Sequence, residues 1–371
     1  MGVGVGLIGT GFMGKCHALA LAAVGRVFED VAAPRLELVC ETPAGRAAAM
    51  AGQFGFARAT GDWRELVADP AVGLVSITTP NRLHREMALA VLQAGKHVWC
   101  EKPLTLAEAE EMAEAAGRAG LVTLVGHNYL RNPAYRHAQA LVEAGRIGRV
   151  VHFRGWVDED YQADPELAWT WRARREEAGL GTLGDLACHL VSLAVGLVGP
   201  VESLVAETAT VHATRPLPDG SGRGTVENED IASALVRFQG GVTGVLMSSR
   251  SAWGRKNRLD FEVHGTRGMI VYEQERMNEL RLFLNEGPVA EQGFRTILTG
   301  PAHPPYAAFT PAPGHQLGFN DLKVIEAAEL LRAIAGGPPA YPDFTQALGF
   351  ERVIHGIDRA AREGSRVAIR V

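Results

Sequence analysis

The sequence predicts an α/β protein with an N-terminal doubly wound parallel sheet and a C-terminal α+β domain with a mostly antiparallel sheet. Short apolar segments alternate with helical patterns over the first third of the chain, which is typical of parallel strands covered on both faces. After about residue 130, consecutive segments with alternating polarity are joined by turns such as "QGGV" and "GTRG". We therefore assign residues 1–127 to the first domain and 128–371 to the second, and allow the C-terminal helices to pack back on the first.

The first domain is predicted from strand–helix alternation. Each predicted strand is a short apolar run, and helical or Ala-rich segments separate the strands. Gly95 marks the C-terminal end of one helix. The predicted strands are 3–8, 36–40, 72–80, 97–100 and 121–128, and the predicted helices are 14–24, 43–54, 62–70, 83–94 and 105–119.

The second domain is predicted mainly from alternating segments. One helix at about 183–198 interrupts them, and helices return at 318–335 and 344–364. The segment 286–314 is rich in Pro and Gly, and we expect it to form an ordered loop. The predicted strands are 149–157, 202–213, 230–239, 241–250, 258–265 and 268–274.

Composition excludes several classes of protein. Hydrophobic residues make up 47% of the 371 residues, charged residues 21%, and the net charge is −5, so no basic surface for nucleic acid is expected. The four cysteines form no CxxC pair and lie in apolar contexts, which fits reduced, buried thiols in the cytosol. The N-terminus carries no basic targeting region, and we expect a cytoplasmic protein without a membrane segment.

The N-terminal segment contains the spacing Gly9-x-Gly11-x-x-Gly14 between a strand and a helix. In a βαβ unit this spacing is typical of dinucleotide binding. Gly9 permits a tight turn, Gly11 lets a pyrophosphate approach the helix N-terminus, and Gly14 allows close packing of the helix. A glycine-rich turn without a ligand is the alternative.

Glu41 ends the second predicted strand. A carboxylate at that position accepts hydrogen bonds from the adenosine ribose hydroxyls and repels a 2′-phosphate, so we expect NAD as the cofactor rather than NADP. Arg46 lies near in sequence and weakens this discrimination. A solvated strand end is the alternative for Glu41.

Polar residues also follow the third predicted apolar strand. Thr78, Thr79, Pro80 and Asn81 lie at its carboxyl end, with His84 in the first helical turn beyond. Ligands of doubly wound sheets bind at the carboxyl ends of strands, so this segment is expected to border the cofactor. A surface or capping role is the alternative for His84.

The motif "EKP" follows the next strand. Lys102 would face a nicotinamide pocket and hold a substrate hydroxyl or a developing alkoxide by charge, with a pKa lowered by partial desolvation. Glu101 would reach the cofactor ribose, and Pro103 would fix the backbone through a cis Lys102–Pro103 bond. A solvated lysine is the alternative.

Asp185 and His189 lie four residues apart on a predicted helix, so their side chains project from one face. Histidine accepts a proton near neutral pH. Glycines at 179, 181 and 184 would let this helix start approach a ligand closely. A metal pair and a buried structural histidine are the alternatives, but no third metal ligand is evident nearby and we expect no metal.

Four ordered motifs, "GxGxxG", "TTPNxxHxxMA", "EKPL" and "GxxxDxxxH", resemble those of the Gfo/Idh/MocA oxidoreductases over nearly the whole chain. The resemblance implies that Lys102 is the catalytic lysine, Asp185 the substrate-binding aspartate and His189 the catalytic histidine. It also implies that the first domain is an NAD-binding Rossmann domain and that the large open sheet of the second mediates oligomer contacts, with a tetramer or dimer expected. The expected cofactor-binding residues are Gly9, Gly11, Phe12, Met13, Gly14, Glu41, Thr79, Pro80, Asn81, His84, Glu101, Lys102, Trp171 and Arg172.

A finer resemblance rests on "DEDYQADPELAWTWR", "ENED", "YEQERMNEL" and "PGHQLGFN". These segments are similar to a branch of scyllo-inositol dehydrogenases that also oxidise L-glucose, with levoglucosan dehydrogenases as further relatives. Core packing of Trp171 and a salt bridge of Arg172 are the alternatives to site roles. Ser192 stands where many members carry aspartate. The expected substrate-binding residues are Lys102, Tyr129, Arg172, Asp185, His189 and His315.

The expected function is NAD-dependent oxidation of a ring or anomeric hydroxyl of a cyclic polyol or sugar, foremost scyllo-inositol and then L-glucose. Another aldose or an anhydrosugar such as levoglucosan is the alternative substrate. A redox-neutral enzyme or an NAD-binding regulator that retains the nucleotide is the alternative class. His189 and Lys102 compete for the role of proton acceptor.

Overall fold

The computed structural model describes residues 2–102 and 105–370, so the expected cis bond between Lys102 and Pro103 lies outside the described residues. The chain divides into two compact units. The first consists of residues 2–131 and 317–348, and the second of residues 132–316 and 349–370. The first unit therefore combines the N-terminal part of the chain with a segment near its C-terminal end.

The first unit contains a six-stranded parallel sheet with the strand order β3-β2-β1-β4-β5-β6. The order reverses between β1 and β4, and ligands of doubly wound sheets bind at this reversal. The predicted parallel sheet is confirmed. The bounds are β1 Gly4–Ile8, α1 Phe12–Val27, β2 Arg35–Cys40, α2 Ala44–Phe54, β3 Arg58–Thr60, α3 Trp63–Ala68, β4 Leu74–Ile77, α4 His84–Gln93, β5 His97–Cys100, α5 Leu106–Ala119 and β6 Thr123–Val125.

Both faces of this sheet are covered. All residues of β1 and β4 are buried. Ile8 and Ile77, which pair across the two strands, join a core on one face, whereas Leu7 joins a smaller core on the other. Successive side chains of a strand point to opposite faces, so two covered faces require the continuous apolar runs seen in the sequence.

The second unit contains a nine-stranded sheet in the order β16-β15-β14-β13-β7-β12-β11-β8-β17. Its neighbouring strands are antiparallel except for β7 and β12, which run parallel, so the expected mostly antiparallel sheet is confirmed. Strands β9 and β10 form a separate ribbon. The bounds are α6 Pro133–Glu143, β7 Val150–Asp158, α7 Arg175–Ala178, α8 Cys188–Val198, β8 Val201–Ala209, β9 Thr214–Pro216, β10 Arg223–Thr225, β11 Ile231–Phe238, β12 Thr243–Ser249, β13 Arg258–Gly265, β14 Gly268–Tyr272, β15 Glu279–Leu284, β16 Arg295–Leu298 and β17 Val367–Ala368.

One face of the nine-stranded sheet packs against α6 and α8. Phe153 and Phe261 lie on this face, are fully buried and stack with ring centroids 6.1 Å apart. Leu235 on β11 and Met247 on β12 belong to the opposite set of alternating side chains and are exposed. The sheet is therefore open on one side within this unit.

The second unit contains elements that the sequence patterns do not predict, among them α6 and β16. Helix α6 was not expected, although Asn132 caps it by accepting a hydrogen bond from the backbone N–H of Ala134 at 2.7 Å and Pro133 occupies its first turn. The expected loop at 286–314 contains β16, which pairs with β15. Pro and Gly flank β16 on both sides and obscured its four residues in the composition.

The remaining helices are α9, Phe319–Ile334, in the first unit, and α10, Phe344–Glu363, which begins in the first unit and ends in the second. Both agree with the helical segments expected near the C-terminus. In α9, Asp321 accepts a hydrogen bond from the backbone N–H of Gly318 at 2.7 Å, which satisfies one free donor at the helix start.

One helical stretch has the length and apolarity of a membrane span. Residues Arg175–Val198 have a mean hydropathy of 1.6 over their most apolar window, although the sequence analysis predicts no membrane segment. However, 72% of that window is buried inside the protein. The interior helix of a folded domain passes the same test, and the burial favours that interpretation.

The burial of the four cysteines leads to the first prediction. Cys16, Cys40, Cys100 and Cys188 are all buried free thiols, and burial raises the pKa of Cys40 to about 12. The native protein should therefore react with Ellman's reagent at a negligible rate, whereas denatured protein should titrate four thiols per chain. Fast reaction of one thiol under native conditions would contradict the described burial.

Candidate active site

The glycine-rich segment joins β1 to α1, and at two of its glycines the neighbouring backbone leaves no room for a side chain. Gly9 has φ = +92°, and a Cβ there would lie 2.8 Å from the carbonyl oxygen of Thr78. A Cβ at Gly14 would lie 2.3 Å from the carbonyl oxygen of Gly9. By contrast, a Cβ at Gly11 would contact nothing within 4 Å in the described part of the chain. The backbone is therefore open in front of the α1 N-terminus, which fits the close approach of a pyrophosphate.

The next residues of α1 extend this open surface. Phe12 begins the helix, is 73% exposed, and stacks on Phe319 of α9 with ring centroids 5.8 Å apart. Met13 is partly buried. Phe12 is thus a large apolar side chain on the surface at the expected pyrophosphate site, and its role as a cofactor contact stays a prediction.

Glu41 follows β2 and lies beside the glycine-rich segment. Its Oε2 accepts a hydrogen bond from the backbone N–H of Thr10 at 2.9 Å, and Oε1 accepts one from Thr42 at 2.9 Å. Partial burial would raise the pKa of Glu41, but a hydrogen bond from the Thr10 hydroxyl, these two backbone bonds and the charge of Arg46 outweigh burial and lower it. Arg46 lies 3.9 Å from the same carboxylate. Glu41 is therefore an oriented anion, and this fits a ribose diol better than a 2′-phosphate.

The segment after β4 is fixed to the same edge of the sheet. Thr78 Oγ1 donates to the carbonyl oxygen of Gly9 at 2.9 Å. His84 is the first residue of α4, is 1% exposed, and its Nε2 lies 2.9 Å from the carbonyl oxygen of Thr79. This bond anchors the turn that contains Pro80 and Asn81. His84 thus has a structural contact in addition to its expected cofactor role.

Glu101 and Lys102 follow β5 at this edge. Residue Glu101 is 5% exposed as a whole, and its Oε1 lies 2.6 Å from Lys323 Nζ and 2.9 Å from His17 Nε2. Lys102 is partly buried. Tyr129, after β6, is buried and packs edge-to-face on Phe319, with centroids 6.0 Å apart. Sequence reasoning missed Lys323, because a lysine within a C-terminal helix gives no local signal of a partner near residue 101.

In the second unit, Asp185 lies within a π-helical turn, Leu183–Ala187, that leads into α8. His189 is the second residue of α8. Their four-residue spacing therefore crosses a change of helix type and does not have the regular α-helical geometry that the sequence suggested. Single π-turns occur frequently at functional sites. Both side chains remain partly exposed.

Tyr161 is a candidate site residue that sequence reasoning missed. Its hydroxyl donates to Asp185 Oδ2 at 2.6 Å. Burial and the Asp185 charge together raise the pKa of Tyr161 well above its usual value, so the hydroxyl keeps its proton and its donor role. Tyr161 is part of the segment "DEDYQADPELAWTWR", but its 24-residue separation from Asp185 left no recognisable spacing.

The segment "ENED", residues 227–230, forms hydrogen bonds with the start of the π-helical turn that contains Asp185. Thr182 N–H donates to the Glu229 carbonyl at 2.9 Å, and Leu183 N–H donates to Glu229 Oε1 at 3.0 Å. A Cβ at Gly181 would lie 2.0 Å from the Glu229 carbonyl oxygen. At Gly181, therefore, the close approach is to the protein backbone and not to a ligand as expected.

The other expected site residues of the second unit have contacts different from those described around Asp185 and Glu229. The Arg172 guanidinium lies 4.6 Å from the centre of the Trp171 ring, and Asn228 donates to the Arg172 carbonyl at 2.8 Å. His315 is exposed, and Tyr306 donates a hydrogen bond to its carbonyl. Their contacts with sugar or cofactor stay predictions. The described residues contain no group of His, Cys, Asp or Glu suited to a metal ion.

Comparisons with known proteins agree with this architecture. Residues 3–127 match an oxidoreductase family with an NAD-binding Rossmann fold, and residues 135–271 match the GFO/IDH/MocA C-terminal domain. The levoglucosan dehydrogenase of Pseudarthrobacter phenanthrenivorans is 38% identical over 98% of this chain and 97% of its own length. The NAD(+)-dependent scyllo-inositol 2-dehydrogenase of Bacillus subtilis is 29% identical over 76% of this chain and 77% of its own.

Solved structures give the same result. Levoglucosan dehydrogenase in complex with NADH and levoglucosan superposes with a TM-score of 0.97 at 38% identity, with 100% of both chains covered. Its complex with NADH and L-sorbose superposes with a TM-score of 0.97 at 39% identity over 99% of each chain. The chain therefore belongs to the GFO/IDH/MocA family of NAD-binding oxidoreductases and is an NAD-dependent dehydrogenase of the sugar and polyol class.

Proposed function

We propose that the protein oxidises a secondary ring hydroxyl of an anhydrosugar of the levoglucosan type to a ketone. The observation that carries this proposal is the 38% identity to a levoglucosan dehydrogenase over 98% of the chain. The inositol dehydrogenase is less similar and covers less of the chain, at 29% over 76%. This ranking replaces scyllo-inositol, which the sequence motifs favoured, as the first candidate substrate.

The chemistry of such a substrate restricts the product. In a 1,6-anhydrohexose, C1 and C6 share one bridging oxygen and C1 is an acetal carbon, so neither carbon carries a free hydroxyl and the remaining hydroxyls of the sugar are all secondary alcohols. Oxidation then gives a ketone and not a lactone. The reaction removes one proton from the hydroxyl oxygen and one hydride from the carbon. Bound NAD supplies the acceptor for that hydride.

Within this proposal, the chain's own residues handle the proton and the charge. His189 accepts the hydroxyl proton, because a neutral imidazole is the side chain best matched to proton transfer near neutral pH. The Lys102 ammonium stabilises the negative charge that builds on the substrate oxygen. Asp185, held by Tyr161, accepts hydrogen bonds from neighbouring hydroxyls and so orients the ring.

The cofactor-binding roles are proposed on the geometry of the first unit. The backbone N–H groups at the start of α1 would bind the pyrophosphate, since the space before Gly11 is open. Glu41 would bind the adenosine ribose. Thr79, Pro80 and Asn81, at the carboxyl end of β4, would border the nicotinamide side.

We also propose that the protein works as a cytoplasmic homo-oligomer. The exposed apolar side chains of Leu235 and Met247 lie on adjacent strands of the open sheet face, and burial against a second copy would remove them from water. A tetramer is the form that the family resemblance implies.

The first experiment is a substrate panel followed by NADH absorbance at 340 nm. Levoglucosan, scyllo-inositol, myo-inositol, L-glucose and D-xylose are compared, each with NAD and NADP. We expect the highest kcat/KM with levoglucosan and NAD. A clear preference for an inositol would keep the reaction class and reinstate the second candidate. Stoichiometric NADH binding without turnover of any substrate would favour a redox-neutral enzyme or a regulator.

Substitution of Lys102 tests its catalytic role. Lys102→Ala should lower kcat by roughly 10²–10⁴-fold, the range typical of a lost charge or proton-transfer group, while NADH affinity changes little. NADH affinity is measured by fluorescence titration. If affinity and kcat/KM fall together, Lys102 is a cofactor anchor and its proposed role is wrong.

Substitution of Tyr161 tests the orientation of Asp185. Tyr161→Phe removes a hydrogen bond to a charged group, worth about 1.5–3 kcal/mol, so kcat/KM should fall roughly 10- to 100-fold. Tyr272→Phe is the matched control, because the Tyr272 hydroxyl bonds to Asn132 and Gln274 in the core of the same unit. Equal losses of kcat/KM in the two variants would assign Tyr161 a merely structural role.

A further inference from the structure

A buried cluster of charged and polar groups surrounds Glu101, the residue that precedes Lys102, within the first unit. The Glu101 cluster consists of His17 on α1, Ser76 on β4, Glu101 after β5, and Lys323 and Glu326 on α9. The side chains of His17, Lys323 and Glu326 are 0% exposed, and that of Glu101 is 6% exposed. Lysine and glutamate are almost never buried so completely unless they are paired.

Lys323 is the cation at the centre of the cluster. Its Nζ lies 2.6 Å from Glu101 Oε1 and 2.7 Å from Glu326 Oε2. The same ammonium lies 5.5 Å from the centre of the Trp99 ring. The two carboxylates outweigh burial and raise the pKa of Lys323, so it stays charged. Burial, on the other hand, raises the pKa of Glu326, which makes Glu101 the firmer anion of the two.

His17 completes the support of Glu101. Its Nε2 lies 2.9 Å from Glu101 Oε1, its Nδ1 lies 2.8 Å from Ser76 Oγ, and its ring stacks on Trp99 with centroids 3.7 Å apart. Burial lowers the pKa of His17 to about 4, so the ring is neutral at physiological pH. A neutral ring that donates from Nε2 accepts from the Ser76 hydroxyl at Nδ1, and every contact is then satisfied.

Glu101 consequently has one fixed position. Two donors meet at one carboxylate oxygen, and Gly126 of the neighbouring strand end leaves room for it, since a Cβ there would lie 2.3 Å from Oε1. Lys102 is the next residue of the chain. A rigid Glu101 therefore fixes the backbone position and orientation of Lys102.

We propose that Lys323 is a positioning residue that acts on Lys102 through Glu101. Lys323 fixes the Glu101 carboxylate and neutralises its negative charge, and the fixed Glu101 in turn holds the next residue, Lys102, in place. This inference rests on the proposed catalytic role of Lys102. The buried ring of His127 reports on the same neighbourhood: burial, together with the positive charges of Lys102 and Lys323, lowers its pKa to about 3. Other charged groups near the cluster are Arg131 and its ion-pair partner Glu329, 3.1 Å apart.

The test compares Lys323→Met with Lys96→Met. Lys96 is a buried lysine of the same unit whose ammonium donates to the Asp69 carbonyl, so its substitution also removes a buried ammonium but leaves the contacts of Glu101 intact. Lys323→Met should bind one NADH per chain with affinity within about threefold of the wild type and show at least a tenfold lower kcat. Lys96→Met should keep its kcat within twofold.

A second measurement follows Lys102 directly. The chain has only five lysines, so ¹³C-methylated lysine signals can be assigned with single Lys→Arg variants and titrated by NMR in the absence of substrate. In Lys323→Met a nearby cation is lost and the Glu101 charge is unbalanced, so the pKa of Lys102 should rise. An unchanged Lys102 titration together with a kcat within twofold of the wild type would overturn the proposal.

Two further variants separate the possible failures. Lys102→Ala is measured in parallel: if it keeps full activity, the proposed function of Lys102 fails, whereas an inactive Lys102→Ala with a normal Lys323→Met refutes only the positioning role. If Lys323→Met does not fold, the double variant Glu101→Gln/Lys323→Met replaces it, because removal of both charges is tolerated better than removal of one. A wild-type kcat in that variant would overturn the inference, and a tenfold loss with normal NADH affinity would support it.

Discussion

The candidate cofactor site of the first unit depends on one constraint, which is that all strands of its six-stranded sheet run parallel. All six strands end at one edge, so segments far apart in sequence are brought to the same place by backbone hydrogen bonding alone. Gly9, Glu41, Thr79, Glu101 and Tyr129 each follow a different strand at this edge. The strand order reverses between β1 and β4, which leaves an opening in front of the α1 N-terminus. The positive end of that helix and the nearby Glu41 carboxylate then give the opening its chemical character.

Much of this unit could be predicted from sequence because its signals are local. A strand buried on both faces is a continuous apolar run, and the glycines at 9 and 14 directly reflect the lack of room for side chains, whereas Gly11 leaves the space before α1 open. The partners of Glu101 could not be predicted in this way. Lys323 lies 222 residues from Glu101, and each residue alone is compatible with an exposed position on a helix or loop. Only the folded chain shows that the two charges neutralise each other.

The second unit was less predictable for related reasons. Antiparallel strands are recognisable by their alternation, whereas α6 lies where the sequence pattern changes near residue 130 and is only 11 residues long. The Asp185 and His189 pair was found by its spacing, although the π-turn around Asp185 depends on the packing of Glu229 against the helix start, which no periodicity encodes. The Tyr161 contact with Asp185 is likewise a product of tertiary structure.

The split composition of the first unit has a consequence for how the protein is made. Its six-stranded sheet is complete once residue 125 has been synthesised, but Lys323 belongs to a segment that begins at residue 317. At 5–20 residues per second, roughly 10–40 s of translation separate the two. During that interval Glu101 lacks the countercharge of Lys323, and the surface of α1 that packs against α9 stays in contact with solvent. The buried ion pair beside the end of β5 can therefore form only after most of the chain has been synthesised.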